Sequence, residues 1–233
     1  MSKTNRAKLK NYFLKGSIPT EEHFHDLIDS SVNQADDGIV KDQGEALKIR
    51  AEGSNEEMLN FFRNMEDKYP TWKISNRSAD GKIGLNIANG DNESVLFLEE
   101  QGNVGVGTTS PEHRLDVEGT IAMKARIGTY AKGKVPADGH WHSIITGIED
   151  FSAFEVVAKV SEKGAHAIMH AVALSAYGQS KSKIKKQQGY FGRCRNCIDL
   201  RFTGTYYDYS LQIRTKRRYV EGTDIEYNIT KLF

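Results

Sequence analysis

Between Lys181 and Arg218 the chain carries eleven cations: Lys181, Lys183, Lys185, Lys186, Arg193, Arg195, Arg201, Arg214, Lys216, Arg217 and Arg218. Only Asp199 and Asp208 oppose them, a local charge of +9 in a chain whose formal total is +1. A guanidinium offers a planar fork of donors that matches carboxylate and phosphate oxygens. Tyr190, Phe191, Tyr206, Tyr207, Tyr209 and Tyr219 are interleaved with these charges, and their flat rings suit the apolar face of a sugar. The stretch is therefore a candidate surface for an anionic cell-surface glycan, an acidic polysaccharide or a phosphorylated lipid head such as that of lipopolysaccharide. The ligand-binding candidates are Lys185, Lys186, Tyr190, Arg193, Arg195, Tyr206, Tyr207 and Arg217. The alternative is that strand alternation merely puts these cations on a solvated face. No recognition helix or aromatic RNA-binding motif accompanies the charge, so no nucleic-acid partner is expected.

Other chemistry-bearing spacings are weaker. Cys194-Arg195-Asn196-Cys197 is a lone C-x-x-C; zinc needs four ligands, and a redox pair needs a helix N-terminus in a βαβ setting. Two free, partly buried thiols are expected there, with a local disulfide as the alternative. A glycan-cleaving enzyme needs two carboxylates about 5–10 Å apart; Glu149/Asp150 and Asp224/Glu226 sit in turn-like or strand-face settings. No G-x-S-x-G, H-E-x-x-H or P-loop is present. The expectation is a non-enzymatic protein without a cofactor.

The elements that must position these residues follow from periodicity. Residues 4–15 predict a short helix with Thr4 as N-cap and Gly16 beyond its end. Thr20 caps a second, with Glu21 and Glu22 in the first turn and Phe24, Leu27, Ile28 and Val32 at helical spacing. The acids of that second helix argue against a DNA reader; an exposed apolar hairpin suits docking to a larger particle or trimerisation. Ala46–Arg50 reads as a brief strand. Ser54 to Glu57 reads as a capping box, opening a third helix with Met58, Leu59, Phe61, Phe62 and Met65 that ends at Tyr69-Pro70. From Trp72 the period becomes two: Trp72/Ile74, Ile83/Leu85/Ile87 and Val95/Phe97. Seven strands are expected in the last stretch: 141–145, 153–160, 167–175, 184–190, 198–202, 209–215 and 225–233, a β-sandwich or jelly-roll-like unit.

The 233 residues thus divide into a helical region 1–70, a β-rich stem 71–127, a Gly/Lys linker 128–139 and a β head 140–233. A hydrophobic share of 38% and a mean hydropathy of −0.56 are low for one compact enzyme. The N-terminus leads into a polar helix, so synthesis in the cytoplasm without a signal peptide is expected. No run reaches the roughly 18 apolar residues of a membrane span, and no membrane insertion is expected.

The segment Gly102 to Gly119, within GNVGVGTTSPEHRLDVEGTI, sets two short alternations, Val104/Val106 and Leu115/Val117, around a tight connection from Gly107 to Pro111. Glycines at alternate positions strip one face of side chains, so another backbone or another copy of the chain can approach. These eighteen residues resemble the G-N-V-G-I-G-T-T-S-P-x-x-x-L-D-V-x-G segment of tail-fibre and receptor-binding proteins of tailed phages and of phage-tail-like contractile particles. The resemblance implies an elongated homotrimer whose N-terminal part attaches to a baseplate or tail component. A β stem would follow, then a C-terminal head contacting a cell surface, acting in a virion or extracellular phage-like particle. In such fibres an H-x-H on the threefold axis can gather six imidazoles around one metal ion, which makes His140 and His142 a minor metal alternative to a strand pair flanking a core Trp141. The expected function is structural and adhesive, through glycan recognition by the head. The alternatives are a purely structural particle component, a stand-alone lectin and, last, a glycan depolymerase.

Overall fold

The computed structural model describes residues 4–54 and 56–233. The chain is mainly β and divides into two units, Met1–Ala122 and Met123–Phe233. Its sheets stay open, and among the described residues no helix is long and apolar enough to cross a membrane.

In the first unit α1 (Arg6–Tyr12) and α2 (Glu21–Asp29) form a hairpin. Asn5 rather than Thr4 caps α1, its Oδ1 accepting the Lys8 N–H at 2.9 Å. Thr4 instead donates its backbone N–H to Ser30 Oγ at 2.9 Å. Thr20 caps α2 as expected and donates its N–H to His23 Nδ1 at 3.2 Å. Tyr12 stacks on His23 with centroids 3.8 Å apart and donates its hydroxyl to Asp26 Oδ2 at 2.9 Å. Neither helix buries a residue, so side-chain contacts hold the hairpin without giving it a core.

Helix ends at Asp29, not near residue 70. The short pair β1 (Ile39–Val40) and β2 (Lys48–Ile49) follows, and the expected third helix is instead the strand β3 (Glu57–Phe61). Asn55 of the expected capping box lies outside the described residues. Glu56 has φ 52°, a left-handed backbone incompatible with a helix interior. From there Leu59 and Phe61 pair with Ile74 and Trp72 at a period of two. Pairing with a neighbouring strand has overridden a local cap signal.

β3 starts a six-stranded sheet that continues in chain order through β4 (Trp72–Arg77), β5 (Ile83–Asn89), β6 (Ser94–Glu99), β7 (Val104–Val106) and β8 (Leu115–Val117). Every neighbouring pair is antiparallel except β7 and β8, which are parallel. Register lines up Leu59, Ile74, Ile87, Leu96, Val106 and Val117 in one row, with Leu85, Leu98, Val104 and Leu115 in the next. The opposite face holds Ser75, Asn86, Phe97 and Gly105, all buried. The polar face is covered and the aliphatic face is open: Leu59, Leu85 and Leu115 are 42%, 40% and 60% exposed.

The glycine motif has a local reason. A Cβ on Gly105 would stand 2.1 Å from the Thr108 carbonyl oxygen, so the backbone that approaches is the chain's own turn. Gly107 turns the chain with φ 75°.

In the second unit all seven expected strands form: β10 (His142–Ile148), β11 (Ser152–Glu162), β12 (Ala165–Ser175), β13 (Lys183–Phe191), β14 (Ile198–Gly204), β15 (Tyr209–Thr215) and β16 (Asp224–Lys231). An eighth, β9 (Ala131–Pro136), occupies the stretch expected as a linker and pairs with β16. Its small or apolar Ala131, Gly133 and Val135 alternate with Lys132 and Lys134, which makes the stretch an edge strand despite its Gly/Lys composition. The five-stranded sheet β13-β12-β11-β16-β9 and the three-stranded sheet β10-β15-β14 enclose one core, as in a sandwich. Phe154, Val156 and Met169 from the larger sheet and Ile198, Leu211 and Ile213 from the smaller are fully buried in it.

Candidate functional site

The eight candidates of the basic stretch do not make one patch. Arg193 and Arg195 lie exposed in the turn after β13, and Tyr190 sits opposite Ala167 near that end of the strand. Tyr206 and Tyr207 belong to the β14–β15 turn, level with the start of β13, where Tyr207 meets Tyr177 edge-on at 5.8 Å. The eight steps along the nine residues of β13, at about 3.3 Å each, separate the two groups by roughly 26 Å. Lys185 faces outward on the larger sheet opposite Val172.

Arg217 and Lys186 are already engaged. The Arg217 Nη2 donates to Glu162 Oε1 at 2.5 Å and its Nε to Asn196 Oδ1 at 2.6 Å, with the guanidinium 4.4 Å over the Tyr219 ring. Glu162 also accepts the Val220 N–H at 2.6 Å. Burial works against the Glu162 carboxylate, but that N–H and Arg217 outweigh it and hold its pKa below the ordinary value. Arg217 is therefore a brace between β11 and the segment before β16. Lys186 pairs with Asp199, which also faces Arg214 at 3.8 Å.

A different cluster assembles on the smaller sheet. The guanidinium carbons of Arg201 and Arg214 each lie 4.3 Å from the Trp141 ring centroid. Diagonal register on β14 and β15 brings the two arginines to the same ring. Arg201 Nε donates to Gln212 Oε1 at 2.9 Å, and Gln212 Nε2 donates to Ser143 Oγ at 3.1 Å. Beside Arg201 opens a cleft of about 490 Å³ between the β12–β13 loop and β14. Gln179, Ser180, Lys181 and Ser182 line one side, and Arg201, Phe202 and Thr203 the other. Sequence spacing missed Trp141 as an anchor because the residues that meet it are sixty and more positions away. The available signal was one tryptophan at the start of a strand, facing two arginine-bearing strands.

His140 and His142 do not share a strand face. His142 begins β10, whereas His140 precedes it. Both meet Asp138: His142 Nε2 at 2.8 Å from Oδ1, His140 Nδ1 at 3.5 Å from Oδ2, and the His140 N–H at 2.9 Å from Oδ1. Burial disfavours the Asp138 carboxylate, but the His142 hydrogen bond, the His140 N–H and both imidazoles prevail and hold its pKa at about 2. Among the described residues no group of three His, Cys, Asp or Glu side chains could hold a metal ion. Cys194 is exposed and Cys197 buried, both as free thiols.

Of the carboxylates weighed for glycan cleavage, Glu226 lies between Lys134 at 2.7 Å and Lys159 at 2.9 Å. Their hydrogen bonds and charges hold it at about 2, opposite to the raised pKa of a general acid. No protein-family model matches the chain, and no curated protein matches it.

Proposed function

We propose that the chain is a structural and adhesion protein of a phage-like particle, which assembles as an elongated homotrimer and recognises a cell-surface polysaccharide or lipopolysaccharide through its C-terminal unit. The observation that carries this reading is the aliphatic row across the six-stranded sheet. Among the described residues of the first unit, ten Leu, Ile and Val side chains share that face with no layer of that unit over them, and full burial of each is worth about 1.5–3 kcal/mol. An identical copy presents the same chemistry and closes by rotation. The resemblance of residues 102–119 to tail-fibre segments supports three copies around this face.

The α1–α2 hairpin, with its apolar side chains also uncovered, would dock to a baseplate or tail component. The C-terminal unit has a closed core and can present its surface to a receptor. Three weak sites on one assembly gain avidity through effective concentration. Light scattering on the full chain tests the assembly: a mass near three times 26.1 kDa supports it, and a mass of 26.1 kDa overturns it.

A further inference from the structure

We propose that the cleft between the β12–β13 loop and β14 binds an anionic saccharide, its carboxylate or phosphate held between Lys181 and Arg201; this rests on the adhesive reading of the C-terminal unit and assigns it a site. At about 490 Å³ the cleft has the size of a small-ligand site. Its walls carry two cations and no carboxylate. Of the other cations in the basic stretch, Lys186, Arg214 and Arg217 each have an acidic partner instead. Arg201 lines the cleft without an acidic partner among the described residues, and its Nε on Gln212 and its stacking on Trp141 fix the side chain in place.

The remaining lining is chemically that of a sugar site. The Thr203 hydroxyl and the acceptor oxygens of Ser180 and Gln179, whose donors hold the loop, face ring hydroxyls, and the half-buried Phe202 and Ile184 supply apolar surface. Such an open, polar cleft suits a polyhydroxylated chain better than an apolar cofactor.

The site is also built before the ligand arrives. Tyr177 and Gln179 are held at φ 67° and 58°, a conformation that non-glycine residues keep only when neighbours enforce it. The Gly178 N–H donates to the Tyr206 carbonyl at 3.0 Å, Gln179 Nε2 to the Gly204 carbonyl at 3.2 Å, and Ser180 Oγ to the Tyr177 carbonyl at 2.7 Å. A Cβ on Gly178 would lie 1.7 Å from the Thr205 carbonyl oxygen, so the loop seats directly on the β14–β15 turn. Tyr206 and Tyr207 continue from that turn, 58% and 73% exposed, where the next sugars of a chain can stack.

The test is calorimetric titration of the full chain with tetragalacturonate, its methyl ester, pentamannose 6-phosphate and maltotetraose. Saturable binding of at least one anionic probe is expected, weakening with salt, and none of the ester or maltotetraose; the two anionic arms separate carboxylate from phosphate. Lys181→Gln and Arg201→Gln should each weaken binding tenfold or more, while Lys185→Gln, on the other sheet, leaves it unchanged. In a Trp72→Phe background, where Trp141 is the one tryptophan left, its emission should shift on binding. Absence of binding by both anionic probes, equal binding of the neutral ones, or wild-type affinity in Lys181→Gln and Arg201→Gln would overturn the proposal. Light scattering on the same samples separates the two readings. A trimer that binds nothing removes the site alone, and a monomer that binds leaves the site and removes the assembly.

Discussion

Two side chains of the second unit show how charge can serve structure. Arg217 lies in the basic stretch, yet its guanidinium is spent on Glu162, Asn196 and Tyr219. Arg217→Ala leaves a mostly buried carboxylate without its cation, and unfolding free energy should fall by about 1–3 kcal/mol. Denaturant titration measures this, and unchanged stability would refute the brace. Saccharide binding should survive the same substitution. Asp138, with His140 and His142 against it, sets a pH dependence. Its folded pKa of about 2 lies below the ordinary 3.8. A carboxyl depressed by folding stabilises most above its unfolded pKa, so this contribution is full above about pH 4 and is lost as pH falls toward 2. Asp138→Asn should lower stability at neutral pH and flatten that acid limb in thermal melts from pH 5 to 2.

Elements answered to their neighbours as well as to their own residues. Residues 57–61 carry helix-compatible side chains after a cap-like signal, but their Leu59 and Phe61 complete the edge of a sheet. The strands β7 and β8 formed where alternation placed them, because three residues with a tight turn leave little else for the chain to do. That turn depends on Gly105. Gly105→Ala drives a methyl onto the Thr108 carbonyl and should cost about 1–3 kcal/mol. Gly119→Ala, with open space around it, is the matched control. Equal melting temperatures for the two variants would show that the close approach does not matter.

For the whole molecule the decisive contrast is between a unit that buries its aliphatic residues and one that leaves them open. Leu98 lies in the second aliphatic row, opposite Leu85 and Val104. Leu98→Glu puts a charge into the proposed subunit contact, where it has no partner. The assembly should dissociate to chains of 26.1 kDa, with the second unit still folded by near-ultraviolet dichroism. A variant that keeps the wild-type mass would show that the assembly does not use this face.

Alternation by itself determined the strands of the second unit, since Tyr209/Leu211/Ile213 and Ile225/Tyr227/Ile229 repeat at the pleat period and need only one buried face to be read. It determined β7 and β8 of the glycine motif for the same reason, while the Thr20 cap and the acids Glu21 and Glu22 determined the start of α2. What only tertiary structure decided is which equivalent-looking residues meet. Lys186, Arg201, Arg214 and Arg217 are alike as cations; packing between strands, sheets and loops gave three of them acidic partners and left Arg201 against Trp141 at the rim of an open cleft. Composition hid β9 within a Gly/Lys stretch, and β3 behind a cap, because strand pairing is a contact between distant segments that no local window contains.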